Sequence, residues 1–96
     1  MQVYIVHSRD TYMLDYPGED YDVVGVCTTK EKAFDMIQEF GKRIEDRCHK
    51  NGDAYTKTTQ NNNWRLYYDV ENDIKEEVMV YCTVEELDKI ILVDES

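Results

Sequence analysis

Two histidines and three cysteines are the residues from which a metal site or a covalent nucleophile would be drawn in this chain. Their spacing supports neither. Cys48 and His49 are adjacent, so on a helix their side chains diverge by about 100° and share no metal. There is no pair of cysteines or histidines at metal-ligand spacing, and a zinc ion would have to gather His7, Cys27, Cys48 and Cys82 from separate elements. The cysteines therefore read as small buried hydrophobes with free thiols. His7-Ser8-Arg9-Asp10 offers the residue types of a nucleophile and its base, but neighbours in a strand face opposite ways. The glycines at 18, 25, 41 and 52 are isolated, which excludes a phosphate-binding loop or a dinucleotide fingerprint. The acidic stretch from Asp15 to Asp22 has its glycine too early for a calcium loop and lacks the closing glutamate. Neither an enzyme, a metal nor a cofactor is expected.

Carboxylates at strand spacing are more informative. Asp69, Glu71 and Asp73 stand at i, i+2 and i+4, so a strand would set them on one side about 6.6–6.8 Å apart. Phosphates along a nucleic-acid strand are comparably spaced, with an axial rise of about 3.4 Å per nucleotide plus the helical path. Such a row can imitate a phosphate backbone, and Glu76 and Glu77 would extend it. A second cluster mixes Tyr12, Tyr16 and Tyr21 with Asp10, Asp15, Glu19 and Asp20. Tyrosine supplies a large contact area at low rotamer cost and is enriched at interfaces. Arg43, Arg47 and Lys50 oppose these acids as a basic stripe at helical spacing, a candidate anion site.

Charge is distributed in blocks. Residues 1–28 carry five acids and one base, residues 29–65 six acids and eight bases, and residues 66–96 ten acids and two bases. The net charge of −10 argues against unaided binding to DNA or RNA and for a basic partner. Ninety-six residues accommodate one domain, 1–96, with one thin core. The apolar runs Val3–Val6, Val23–Cys27 and Ile90–Val93 are too short for a membrane helix. Neither a membrane span nor a secretory leader is expected, and with unpaired cysteines the expected compartment is the cytoplasm.

The elements that must position these residues follow from periodicity. Gln2–Ser8 predicts a strand, Arg9–Tyr21 a long loop turning at Pro17-Gly18, and Asp22–Cys27 a second strand in which Gly25 permits a bulge or a close approach. Both strands are apolar on two faces, which suggests central positions or a covered second face. Thr28-Thr29-Lys30-Glu31 has the form of a capping box, and Ala33, Ile37, Phe40, Ile44 and Cys48 then form an apolar stripe ending at Asn51-Gly52. Asp53–Asn63 reads as a polar loop. Trp64, Leu66, Tyr68 and Val70 alternate with Arg65, Tyr67, Asp69 and Glu71 as a half-buried strand, and a turn at Asn72-Asp73 leads into Ile74–Thr83 with Val78, Val80 and Cys82 inward. Thr83-Val84-Glu85-Glu86 reads as a second capping box with a helical turn, and Ile90–Val93 as a fifth strand or a continuing helix. The expected architecture is α+β: a mostly antiparallel sheet of four to five strands with one long helix on one face. One helix leaves the other face uncovered, for a loop or a second copy.

Val3-Tyr4-Ile5-Val6, the segment from Val24 to Ala33 and the late tyrosine-rich strand resemble small α+β proteins of bacteriophages and their hosts, in which the second block typically reads GVFSSKEKAEEFI. The resemblance covers roughly the first 45 residues; Cys27 and the acidic first loop depart from it. It implies an α+β fold and a phage or prokaryotic cytosolic origin, and carries over no catalytic residue. The expected function is that of a small acidic, non-enzymatic binding protein, phage-encoded, that inhibits a host nucleic-acid-binding or defence protein by occupying its basic surface. Asp69, Glu71, Asp73, Glu76 and Glu77, with Tyr12, Asp15, Tyr16, Glu19 and Asp20, would make the contacts. The alternative is an oligomeric binder of a nucleotide-like ligand that uses the open sheet face and Arg43, Arg47 and Lys50. Direct contact with nucleic acid or membrane is not expected; a homodimer is a candidate assembly.

Overall fold

In a computed structural model that describes residues 1–14 and 17–86, six elements follow one another along the chain. They are β1 (Gln2–Tyr12), β2 (Gly18–Cys27), α1 (Lys30–Asn51), β3 (Ala54–Gln60), β4 (Arg65–Glu71) and β5 (Glu76–Glu86). The strands form one antiparallel sheet in the order β2-β1-β5-β4-β3, with α1 packed across one face. The α+β architecture with one long helix is as expected.

Helix α1 begins where Thr29, in extended backbone, accepts a hydrogen bond from the Lys32 amide at 3.3 Å; the cap sits one residue later than the capping-box reading places it. It ends at Gly52, whose φ of 73° is the left-handed conformation that glycine adopts without a side-chain clash. Ala33, Ile37, Ile44 and Cys48 are buried along its inner stripe. Gly41 is the fifth member, because a Cβ there would lie 2.6 Å from Leu66 and 2.7 Å from the Tyr68 hydroxyl. The absent side chain lets the helix settle onto β4. Val6, Leu66, Tyr68, Val70, Val78 and Val80 complete the core from the sheet. Fully burying each large aliphatic side chain contributes about 1.5–3 kcal/mol.

Four expectations are corrected. Arg9–Tyr12 and Gly18–Tyr21 are paired strand, not loop: the first hairpin runs to Tyr12↔Gly18. The Arg9 guanidinium meets Glu19 at 2.7 Å, the Tyr12 hydroxyl donates to Asp20 at 2.9 Å, and the Met13 and Leu14 amides donate to the Ile74 carbonyl. These cross-strand contacts hold a polar segment extended without an apolar period to announce it. Of the first two strands, β2 lies at the sheet edge and β1 in the interior, between β2 and β5. Of the bulge or close approach that Gly25 permits, both occur here: the register slips opposite Val6/His7, leaving Val24 unpaired beside Gly25, and a Cβ at Gly25 would lie 2.6 Å from the Met36 sulfur.

The polar stretch after α1 is also a strand, β3, whose partners in β4 run from Ala54↔Glu71 to Gln60↔Arg65. Its threonines at 56, 58 and 59 suit an extended backbone at an edge, and Tyr55 packs against the core. Asn61, Asn62 and Asn63 then turn the chain with φ of 53°, 55° and 72°, a left-handed run that asparagine tolerates better than other side-chain-bearing residues. Finally, Thr83–Glu86 extend β5 against Gln2–Ile5 in place of a helical turn. The fifth strand or continuing helix expected at Ile90–Val93 lies outside the described residues.

Candidate functional site

Alternation along the strands sorts every side chain to the helix side or the open side. On the helix side, Tyr68 donates to the Glu45 carboxylate at 2.8 Å, and Tyr55 and Lys57 each approach it at 3.2 Å. Burial alone would raise Glu45, but these bonds outweigh it and hold the carboxyl below its ordinary value. Nearer the β4–β5 turn, Glu76 is buried and bonded to Arg47 at 2.9 Å and to the Asn72 amide at 3.3 Å. Asp10 lies alongside: burial, then its hydrogen bond with Glu76, pushes it up to about 6, while Arg47 pulls the other way. The Tyr12 hydroxyl, raised to about 12 by burial and by Asp20, bridges Asp20 and Asp10.

The open side carries a different composition. His7 sits at its centre, its ring stacked on Tyr81 at a centroid distance of 4.8 Å and an interplanar angle of 16°. Its Nδ1 is hydrogen-bonded to the Tyr21 hydroxyl and its Nε2 meets Thr83 Oγ1 at 2.7 Å. Burial lowers the His7 pKa, with Glu85 opposing. The neutral ring therefore fixes two tyrosines in place. Arg65 lies 5.9 Å over the far side of the Tyr81 group, and Val23, Val26 and Tyr21 on β2 are at least half exposed.

Acids flank this aromatic centre. Asp69 pairs directly with Glu77 across β4 and β5, and Glu71 follows two residues along the same face. Burial and a hydrogen bond with Glu77 push the Tyr67 hydroxyl up to about 12. Glu77 is also in register with Thr11, which is itself opposite Glu19, so carboxylates recur across the sheet as well as along it. Among the described residues, Asp69, Glu71 and Glu77 enter no ion pair.

The expected site residues thus divide. Asp69, Glu71, Glu77 and Glu19 share the open side. Asp73 is exposed but lies in the turn after β4 ends at Glu71, so the row is two residues long on that strand. Glu76 is removed from the contact surface: beside outward Glu77 it must point inward, and it is buried against Arg47. Tyr12 and Asp20 lie on the helix side and bond to each other. Asp15 and Tyr16 lie outside the described residues. The basic stripe is broken as a free anion site, because Arg47 is held by Glu76 and Arg43 stands 3.7 Å from Glu39. It also lies on the helix, on the opposite side of the sheet from the open face, so one chain cannot line a pocket with both.

Sequence reading left His7, Arg65 and Tyr81 off this surface. Outward alternation in β4 and β5 was the available signal; pairing of β1 between β2 and β5, which brings His7 to Tyr81, is a long-range fact with no local signature. All three thiols are free, with Cys27 and Cys48 buried. Among the described residues no group of histidines, cysteines and acids is placed to hold a metal, and no helix is long and apolar enough to cross a membrane. Compared with known proteins, the chain matches no family model, no curated protein and no solved structure.

Proposed function

We propose that this chain is a non-enzymatic binding protein whose open sheet face occupies a basic surface of another protein, with a host nucleic-acid-binding or defence protein as the partner class. The observation that carries this reading is the Asp69↔Glu77 pair. Like charges directly opposite in an antiparallel sheet are destabilising, here on an outward face where no ion pair among the described residues relieves them. A cationic partner relieves that repulsion on binding. Glu71, Glu19 and the overall charge of −10 extend the field that would steer such a partner in. The aromatic centre gives contact area with few rotamers to freeze. A second copy stacked face to face would set carboxylates against carboxylates, which favours a basic protein as the occupant. Along β4 the two carboxylates are about 6.6–6.8 Å apart, the spacing that supports phosphate imitation.

Charge reversal separates this face from net charge. The triple variant Asp69→Lys, Glu71→Lys, Glu77→Lys is compared with Glu31→Lys, Asp35→Lys, Asp46→Lys, which makes the same change on exposed helix positions. Binding of a fluorescent 20-residue peptide of mixed lysine and arginine is measured by anisotropy at low and physiological salt. The face variant is expected to lose at least tenfold in affinity and the helix variant less than threefold. Equal losses would show that only total charge matters, and no loss in either would place function elsewhere.

A further inference from the structure

We infer that the open face selects arginine over lysine, with the ring of Tyr67, two residues along β4 from the Asp69↔Glu77 pair, as the receiving position; this deepens the proposed function and rests on it. The chain's own arginines show the chemistry. Arg65 lies 5.9 Å over Tyr81, and Arg9 reaches Glu19 through Nε at 2.7 Å, so both modes of guanidinium recognition, cation–π contact and carboxylate pairing, occur on this one face. Two residues along β4 from Arg65, Tyr67 presents the same elements without a cation: among the described residues none lies over its ring. Asp69 follows on the same outward row, and Glu77 lies opposite Asp69 on the neighbouring strand.

The neighbouring aromatic planes, Tyr81 and Tyr21, are held before any partner arrives. His7 stacks on Tyr81 and bonds to Tyr21 and Thr83, leaving those side chains little rotamer freedom to lose. A guanidinium is planar, weakly hydrated and able to face a ring while its edge donates to carboxylates; an ammonium is a compact, strongly hydrated point charge. A surface of acids alone would take either cation. Acids around fixed tyrosine rings favour the guanidinium.

The test uses two peptides of equal length and charge, one with arginine and one with lysine at every cationic position, titrated into the full chain and into Tyr67→Leu and Tyr67→Phe. Circular dichroism melts confirm that each variant is folded. The wild-type chain is expected to bind the arginine peptide at least fivefold more tightly. Tyr67→Leu should bring that ratio close to one while changing lysine-peptide affinity less than twofold, and Tyr67→Phe, which keeps the ring, should retain the preference. Equal affinity of the wild-type chain for both peptides would overturn arginine selection and leave the basic-partner reading standing. A preference that survives in Tyr67→Leu would overturn the assignment to Tyr67. Binding of neither peptide would overturn both.

Discussion

Glu76 and Glu77 are neighbours in the chain and belong to opposite worlds. Glu76 faces the helix, is buried, and has Arg47 and Asn72 as partners. Glu77 faces outward opposite Asp69 and, among the described residues, enters no ion pair. The pattern holds beyond this pair: Glu45, on the helix side, is satisfied by Tyr55, Lys57 and Tyr68, while Glu71 on the open side has no ion-pair partner among the described residues. Glu76 and Glu45, which serve the fold, are neutralised within the chain, whereas Asp69, Glu71 and Glu77 keep uncompensated charge gathered on the open side, where a partner can reach it. Of the paired acids, Glu19 stands apart, because its partner Arg9 lies on the open side itself.

If that division is right, mutations on the helix side cost stability and mutations on the open side cost binding. Arg47→Ala is expected to have the largest folding effect. Breaking a buried pair costs about 3–5 kcal/mol, and because Arg47 is 43% exposed the expected loss is nearer 2 kcal/mol, read as a lower urea midpoint. Gly41→Ala should cost about 1–3 kcal/mol by forcing a methyl group against Leu66 and Tyr68. A melting temperature within a degree of the wild type would contradict the close approach of helix and sheet.

Asp10 sharpens the comparison through pH. Its folded pKa, raised to about 6, lies above its unfolded value, so the fold takes up a proton that the unfolded chain takes up only below about 4. The stabilisation is complete below the unfolded pKa and is lost as pH rises through about 6. Asp10→Asn should flatten the stability profile between pH 4 and 6.5 and raise stability at pH 7. Solvent screening of a half-buried group limits that gain to about 1 kcal/mol. Denaturant melts across this range check it. The smallest effect is expected from Asp69→Lys on the open side, which turns a like-charge pair into an attractive one and should stabilise by about 0.2–1 kcal/mol. A substitution that strengthens the fold while weakening binding is the signature of a charge retained for a partner.

Much of this was legible in the sequence where packing follows local period. The stripe Ala33–Cys48 and the alternation of β4 name the core, and the outward places of Asp69 and Glu71 follow from it. What escaped is instructive. Strand β3 and the outer half of the first hairpin have few apolar residues; pairing with neighbouring strands and contacts such as Arg9–Glu19 hold them extended. Glu76 and Glu77 look like one acidic extension in the sequence, but a strand must send them to opposite sides. The aromatic centre depends on β1 lying between β2 and β5, so His7, Tyr21 and Tyr81 meet only after the sheet is assembled.

The most direct measurement is a two-dimensional amide NMR titration of the intact chain with the mixed lysine–arginine peptide. Binding at the open face should move resonances of β1, β4 and β5 around His7, Tyr67, Asp69, Glu77 and Tyr81, with those of α1 at Glu31, Asp35 and Asp46 unmoved. Shifts concentrated on the acids of α1, or spread evenly over every carboxylate of the chain, would contradict the assignment of function to the open face.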